Sequence, residues 1–263
     1  MEWETVLLEQ SGRVGIITMN RPEQLNALNF RLGEDLVAAL EECRGNRQIR
    51  SVVLKGAGRA FCSGGDLAMA KEFIDVDPPD PYRQLTKRYN RVISDIRRLE
   101  KPVIAAINGA VGGGGFSLVM ACDLKIASRT AKFRQAYTAS GLVPDGGWFL
   151  FTPLSVGFCR TNELLYLDPV IDAEQALAIG LVNRVVEPEA LDETAMELAG
   201  RLAAGPSAAF AIAKSLLNES LLVMLERQLE LERQGIVRAA GTRDYLEGLK
   251  AFFEKRSPAF AGE

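Results

Sequence analysis

Four consecutive glycines, Gly112–Gly115, lie between two short apolar segments. The run Val103–Ile107 predicts a buried strand, and the apolar residues Phe116–Cys122 predict a buried helix. Glycine lets backbone N–H groups approach a ligand, and the first N–H groups of a helix lack internal partners. Such a turn can hold a phosphate or a developing oxyanion. The same pattern also suits a tight turn or a close packing contact.

A second glycine-rich segment, Gly56–Gly65, follows the predicted buried strand Ser51–Lys55. It is followed by Asp66, which is well placed to cap a short helix and is a better candidate for that role than for catalysis. Cys62 lies within the segment but has no basic neighbour in sequence, so we expect a buried, unreactive thiol.

Asp145 stands in the run Gly141–Gly147, which is otherwise uncharged and leads towards a predicted helix. Pro-Asp-Gly-Gly is a good turn, and aspartate is a good helix cap. The alternative is catalytic, because apolar neighbours such as Leu142 and Trp148 would desolvate the carboxyl group and raise its pKa into the useful range for a base.

Composition excludes several classes of protein. The 263-residue chain has a net charge of −3 and no histidine, so Ser-His-Asp and Cys-His chemistry and the usual zinc sites are excluded. An acidic chain argues against nucleic acid as a partner. No apolar run reaches the roughly 20 residues of a membrane span, and the acidic N-terminus does not resemble a signal peptide, so we expect a cytoplasmic protein without a membrane partner. Four separated cysteines predict reduced thiols.

The first hundred residues alternate strand and helix patterns. Thr5–Leu8 and Val14–Met19 predict a hairpin, and Phe30–Cys43 and Tyr82–Leu99 show helical spacing of apolar residues. The intervening Asp75–Pro81, rich in proline and aspartate, predicts a mobile surface loop.

The second half of the chain turns from strands to helices. Leu124–Ala127, Ala131–Phe133 and Leu181–Val186 are predicted strands, and Asp172 is a predicted helix cap. From Leu191 to Lys255 the pattern is helical, with breaks near Gly205-Pro206 and Gly241. No internal repeat is visible.

Five segments in order resemble the crotonase (enoyl-CoA hydratase/isomerase) superfamily, over essentially the whole chain. The matching segments are 20–27 (NRPEQLNA), 58–67 (GRAFCSGGDL), 101–115 (KPVIAAINGAVGGGG), 176–182 (ALAIGLV) and 255–258 (KRSP). The resemblance implies an α/β fold made of a spiral of ββα turns over residues 1–190. Residues 191–263 would then form a helical region that covers the site and builds trimers or hexamers.

The resemblance also implies the ligand, an acyl-CoA thioester, with no metal or other cofactor because coenzyme A enters as part of the substrate. The family holds the thioester oxygen with two backbone N–H groups, which by motif position are those of Gly65 and Gly114. One such donor is typically worth about 3 kcal/mol of transition-state stabilisation. The implied substrate-binding residues are Ala27, Cys62, Ser63, Gly64, Asp66, Leu67, Ser117 and Tyr137. Arg21, Arg59 and Lys255 are candidates for the CoA phosphates or ordinary surface charges.

This chain departs from the hydratases at their two catalytic glutamates, whose positions are occupied by Ser117 and Tyr137. Ser117 is most simply a small helix residue, with a catalytic or water-holding role as the alternative, and Tyr137 is either a core aromatic or part of the pocket wall near the acyl group. Isomerase-like members, including the 1,2-epoxyphenylacetyl-CoA isomerase type, have an aspartate at the position of Asp145. Some dehalogenases do too, but they pair it with a histidine and a tryptophan.

The sequence therefore predicts an enoyl-CoA isomerase in which Asp145 moves the proton. Two alternatives remain open: a hydratase or thioester hydrolase with an unconventional acid or base, and a catalytically weak acyl-CoA-binding protein.

Overall fold

A computed structural model describes residues 3–263. Its larger sheet has six strands in the order β1-β2-β3-β5-β7-β10. These strands are β1 (Val6–Ser11), β2 (Val14–Met19), β3 (Ser51–Gly56), β5 (Val103–Ile107), β7 (Leu124–Ser128) and β10 (Arg184–Val186). The β1–β2 pair is the predicted antiparallel hairpin, and the other neighbours are parallel.

The smaller sheet has the order β4-β6-β8-β9. Its strands are β4 (Ala60–Cys62), β6 (Ala110–Gly112), β8 (Lys132–Arg134) and β9 (Ile171–Asp172). The chain enters the larger sheet as β3, β5 and β7, and each time crosses next to the smaller sheet as β4, β6 and β8. Helices follow each pair of strands, so the predicted spiral of ββα turns is confirmed.

Nine α-helices complete the described chain, residues 3–263. They are α1 (Phe30–Gly45), α2 (Leu67–Lys71), α3 (Asp80–Arg98), α4 (Gly114–Ala121), α5 (Trp148–Leu167), α6 (Ala173–Ala178), α7 (Leu191–Ala204), α8 (Ser207–Ala240) and α9 (Arg243–Glu254). The predicted breaks near Gly205-Pro206 and Gly241 separate the last three helices. The predicted caps are also present, since Asp66 accepts from the N–H groups of Ala68 and Met69, and Asp172 from that of Gln175.

Two differences from the predicted elements have clear physical reasons. Helix α3 begins at Asp80 rather than Tyr82, because Pro81 lies in the first helical turn, where its missing N–H is not needed. Strand β4 lies inside the glycine-rich segment Gly56–Gly65, and β6 ends at the first glycine of Gly112–Gly115, where the sequence predicts a loop and a turn. Each has three residues, too few to show a hydrophobic period.

The core fills both faces of the larger sheet. One face packs against α1, α3 and α4 through residues such as Leu36, Ile93 and Leu118. On the other, α7 places Ala195 and Ala199 against Val53 and Ile104. A third apolar cluster joins α3, α8 and α9 through Tyr82, Ile236 and Tyr245, beside the segment that contains Asp145. The boundary at residue 190 stays a prediction.

Helix α8 is long and apolar enough, by length and composition alone, to cross a membrane. Within it, however, Lys214 is buried and pairs with Asp123 at 2.6 Å. Asn218 is also buried and accepts from the guanidinium of Arg97 at 2.8 Å. These polar contacts tie α8 to α3 and to the turn between α4 and β7. The apolar side chains of Ile212, Leu216 and Leu217 in the same part of α8 are exposed.

Candidate active site

The two glycine-rich segments meet because β4 and β6 are parallel neighbours. A Cβ atom on Gly115 would lie 2.2 Å from the carbonyl oxygen of Cys62, and one on Gly112 would lie 2.8 Å from that of Ser63. Both distances are shorter than real Cβ contacts. The backbones therefore approach so closely that no side chain fits between them.

The N–H group of Gly65 is left without a backbone acceptor because the residues on either side of it, Gly64 and Asp66, pair with Leu28. Leu28 donates to the carbonyl oxygen of Gly64 at 2.7 Å and accepts from the N–H of Asp66 at 2.9 Å. In a parallel bridge the N–H of the residue between such partners points to the opposite side. Gly65 lines a large cavity, and within residues 3–263 its N–H has no protein acceptor.

The N–H group of Gly114 is available for a different reason. Gly114 is the first residue of α4, where a helix leaves its N–H groups without internal partners. The preceding Gly113 has φ 46°, a conformation that favours glycine. Tyr89 fixes this turn, since its hydroxyl donates to the carbonyl oxygen of Gly114. Gly65 and Gly114 thus present two N–H groups to one cavity, which is the composition of an oxyanion hole.

Asn26 holds the first of these segments in place. It is fully buried with φ 55°, accepts from the N–H of Arg21 at 2.9 Å, and donates to the carbonyl oxygens of Ala57 and Ala60. Asn26 lies in the motif 20–27, from which the sequence predicts no role for it. The signal was available, because asparagine is among the few residues that tolerate a left-handed backbone.

The cavity has a volume of about 820 Å³, which is within the usual range for small-molecule sites. Most of the predicted site residues line it: Ala27, Ser63, Gly64, Gly65, Asp66, Leu67, Gly114, Tyr137 and Asp145.

Cys62 and Ser117 are placed differently from our expectation that both bind substrate. Neither lines the cavity, and both are fully buried behind its wall. Burial raises the pKa of the Cys62 thiol to about 12, so it is the unreactive thiol that the sequence suggested. The Ser117 hydroxyl donates to the backbone carbonyl of Asp145 at 2.6 Å. It therefore holds the segment that carries Asp145 rather than contacting a ligand.

The three basic residues considered as ligands of the CoA phosphates also differ in whether they line the cavity. Arg21 forms a salt bridge with Asp66 at 2.8 Å and also donates to the carbonyl oxygen of Ala27. Its guanidinium therefore stabilises the cavity wall and is not available to a phosphate. Arg59 is exposed and does not line the cavity. Lys255 does line it, together with Arg256 and Arg134.

Asp145 is buried in the cavity wall, with only 7% of its surface exposed. Its Oδ1 atom accepts from the hydroxyl of Tyr137 at 2.6 Å. Burial raises the pKa of Asp145 to about 6, and the Tyr137 hydrogen bond opposes that rise. Near neutral pH the group is therefore mostly ionised yet basic enough to accept a proton from carbon.

A second buried carboxylate, Glu232 of α8, lies near this segment. It accepts from the N–H groups of Gly147 at 2.6 Å and Phe149 at 3.0 Å, and so caps the start of α5 just beyond Asp145. Burial raises the pKa of Glu232 to about 7. The sequence analysis missed it, because nothing local distinguishes it from the exposed glutamates of the same helix.

The chain is similar to known proteins over nearly its whole length. A family model described as enoyl-CoA hydratase/isomerase matches residues 9–263. The chain belongs to the enoyl-CoA hydratase/isomerase (crotonase) family. It is 37% identical to 1,2-epoxyphenylacetyl-CoA isomerase of Escherichia coli strain K12, over 99% of both chains. It is 34% identical to short-chain-enoyl-CoA hydratase of Clostridium acetobutylicum, over 97% of both.

Among solved structures, the fold matches an enoyl-CoA hydratase from Mycobacterium avium subsp. paratuberculosis with a TM-score of 0.87. The two chains are 31% identical, and the match covers 98% of each. Crotonase relatives thus include enzymes named for isomerisation and enzymes named for hydration. Membership of the family identifies an enzyme that acts on acyl-CoA thioesters.

Proposed function

We propose that the protein is an enoyl-CoA isomerase that shifts a double bond by proton transfer through a thioester enolate. The observation that carries the proposal is Asp145. Within residues 3–263, three carboxylates line the cavity, and of these Asp145 alone is buried. Glu23 is exposed, and Asp66 is engaged as a helix cap and as the partner of Arg21.

The reaction follows from this arrangement. The Asp145 carboxylate removes a proton from the carbon next to the thioester, or from a carbon conjugated with it. The electron pair of the broken C–H bond moves into the carbon skeleton, and negative charge develops on the thioester oxygen. The N–H groups of Gly65 and Gly114 stabilise that oxygen. The protonated Asp145 then returns the proton to a different carbon, so the substrate gains and loses no atoms and no added cofactor is required.

Hydration by a glutamate pair has little support, because Ser117 and Tyr137 occupy the positions of both hydratase glutamates. Ser117 does not line the cavity, and its hydroxyl is engaged with the backbone carbonyl of Asp145. The Tyr137 hydroxyl is engaged with Asp145 itself. A hydratase or hydrolase using Asp145 with another partner, and a weakly active acyl-CoA-binding protein, are the alternatives that the test must separate.

The acyl group that we propose is small and derived from a ring. Three tyrosines, Tyr82, Tyr89 and Tyr137, line the cavity near Asp145, so its wall there is partly aromatic. The match to an isomerase named for an epoxyphenylacetyl thioester supports the same choice.

We also propose assembly into trimers, or hexamers made of two trimers. Exposed apolar side chains are concentrated on α8 and α5, and a single chain leaves them in water. The most exposed of these are Ile212, Leu216, Leu217 and Val223 on α8, and Leu154, Phe158, Tyr166 and Leu167 on α5.

The proposal is tested by product analysis with a panel of 3-enoyl, 2-enoyl and phenylacetyl-type CoA thioesters. We expect 3-enoyl substrates to gain the absorbance of a conjugated thioester without a change in mass. Asp145→Asn should lower this rate at least 1,000-fold, because the amide cannot accept the proton. A matched control is Asp35→Asn, which changes a buried aspartate outside the cavity and should keep the rate within a few fold of that of the unaltered protein.

The alternatives give different products. Addition of water, seen as a gain of 18 mass units in 2-enoyl substrates, would identify a hydratase, and release of free CoA a hydrolase. Binding of the thioesters with no turnover of any panel member would support the weakly active binding protein.

A further inference from the structure

The hydroxyl of Tyr137 donates a short hydrogen bond to the side chain of Asp145. The phenol oxygen lies 2.6 Å from Oδ1, and both residues are at least nine-tenths buried in the cavity wall. Hydrogen bonds of this length between a hydroxyl and an ionised carboxylate are among the strong ones in proteins.

The two oxygens of Asp145 are consequently not equivalent. Oδ1 is occupied by Tyr137, whereas Oδ2 has no protein donor in the described part of the chain. Oδ2 is also not fully enclosed by protein, as a buried polar atom without a partner would be. Since Asp145 lines the cavity, Oδ2 is the oxygen that faces it.

The backbone of Asp145 is held as firmly as its side chain. The Ser117 hydroxyl holds its carbonyl at 2.6 Å, and Glu232 holds the N–H of Gly147, two residues later. With the backbone fixed from α4 and α8, the remaining freedom is rotation of the carboxylate, and the Tyr137 hydrogen bond removes it.

We propose that Tyr137 is a positioning residue that locks the Asp145 carboxylate and assigns Oδ2 as the atom that takes and returns the substrate proton. The inference rests on the proposed isomerase function. Tyr137 keeps its own proton throughout, since burial and the nearby Asp145 charge hold its pKa well above the usual value. The proton moves only between Oδ2 and the substrate carbons.

The same hydrogen bond keeps Asp145 ionised. It favours the charged form, against the burial that raises the pKa of Asp145. Other titratable groups that face Asp145 are Tyr82 and Tyr89 of α3 and Glu232 of α8, with Tyr245 of α9 behind Tyr82. The tyrosines have raised pKa values and remain neutral, so Glu232 is the one neighbour of this group that titrates near Asp145.

The test is the pH dependence of kcat for Tyr137→Phe, with 3-enoyl-CoA substrates. We expect the acid limb to move upward by about one pH unit, because a hydrogen bond to the charged form is lost. At pH 7, kcat should fall roughly 10-fold with KM nearly unchanged, and part of that loss should be recovered at higher pH. Tyr245→Phe is the matched control: it removes a buried hydroxyl that accepts from Tyr82 and does not line the cavity, so its acid limb should not move.

A second variant covers the case in which Tyr137→Phe does not fold. Replacing Tyr137 by 3-fluorotyrosine keeps the ring and makes the hydroxyl a stronger donor, so the acid limb should move to lower pH. Acid limbs that stay in place in the variants that fold, or a change confined to KM, would overturn the positioning role. Those outcomes differ from failure of the isomerase proposal itself, which would show as proton exchange that survives in Asp145→Asn.

Discussion

At the scale of the residue, Asp145 combines burial with a negative charge, and this combination destabilises the folded protein. The pKa of Asp145 is about 6 in the folded chain against an ordinary value of 3.8. The folded state therefore binds the proton more tightly than the unfolded state. The contribution of Asp145 to stability is greatest below about pH 4 and is lost as the pH rises through about 6.

We predict from this shift that Asp145→Asn stabilises the protein at alkaline pH. Two pKa units correspond to about 2–3 kcal/mol, so the variant should exceed the unaltered protein by about that free energy of unfolding at pH 8. Near pH 4 the difference should disappear. Urea unfolding at the two pH values measures both numbers, and Asp35→Asn provides the comparison for loss of a buried aspartate elsewhere. A variant that is less stable at pH 8 would show that Asp145 is not desolvated.

Sequence reasoning at this scale succeeded where a residue's role depends on near neighbours. Asp66 and Asp172 were predicted as caps because a cap and its helix are adjacent in the chain. Glu232 escaped prediction because its partners, Gly147 and Phe149, are more than eighty residues away. The sequence predicted Cys62 and Ser117 as substrate-binding residues because their motifs lie near the cavity. Packing, however, determines the direction in which their side chains point, and both point away from it.

At the scale of the element, the site depends on how closely α4 approaches β4. The Gly115 Cα lies against the carbonyl of Cys62, and no other residue fits there without moving the helix. Because the N–H of Gly114 belongs to the same helix turn, any such movement displaces one of the two proposed donors to the thioester oxygen.

We therefore predict that Gly115→Ala lowers kcat at least 100-fold and destabilises the fold by roughly 2 kcal/mol. Gly200→Ala is the matched control, since it lies within α7 and a Cβ there meets nothing within 4 Å. That variant should be neutral or slightly stabilising, by up to about 1 kcal/mol. Thermal melts and initial rates distinguish the two. Equal behaviour of both variants would contradict the close approach.

The longer elements were predictable because each is long enough for its apolar residues to repeat with a helix or strand period. The β1–β2 hairpin, α1 and α3 each carry a full pattern, and the apolar residues spaced along Tyr82–Leu99 form the buried face of α3, which includes Tyr89 and Ile93. Strands β4 and β6 could not be found in this way. They are fixed by pairing with each other and with β8, which is a property of the tertiary structure.

At the scale of the whole molecule, the ββα spiral was invisible as a sequence repeat but followed from the family resemblance. Its turns share geometry without sharing sequence, since each is built from different side chains around the same strand order. The spiral brings together two glycine segments from successive turns, and the C-terminal helices enclose the other side of the cavity through residues such as Ile236 and Ala251.

For assembly, we predict that Leu217→Lys on α8 converts the proposed trimer or hexamer to smaller species. Leu217 is 72% exposed in the single chain, and a buried lysine without a partner is costly in an interface. Light scattering after size-exclusion chromatography measures the mass. Val76→Lys is the control, as Val76 is equally apolar and exposed but lies before α3, far in sequence from α8. A monomer in the unaltered protein would refute the proposed assembly.

The most direct test of the account is solvent deuterium exchange into the acyl chain of bound thioesters, followed by mass spectrometry. The unaltered protein should incorporate deuterium next to, or conjugated with, the thioester. In Asp145→Asn incorporation should fall to the level without enzyme, while thioester binding is retained. Incorporation that persists in Asp145→Asn would contradict the assignment of Asp145 as the group that moves the proton.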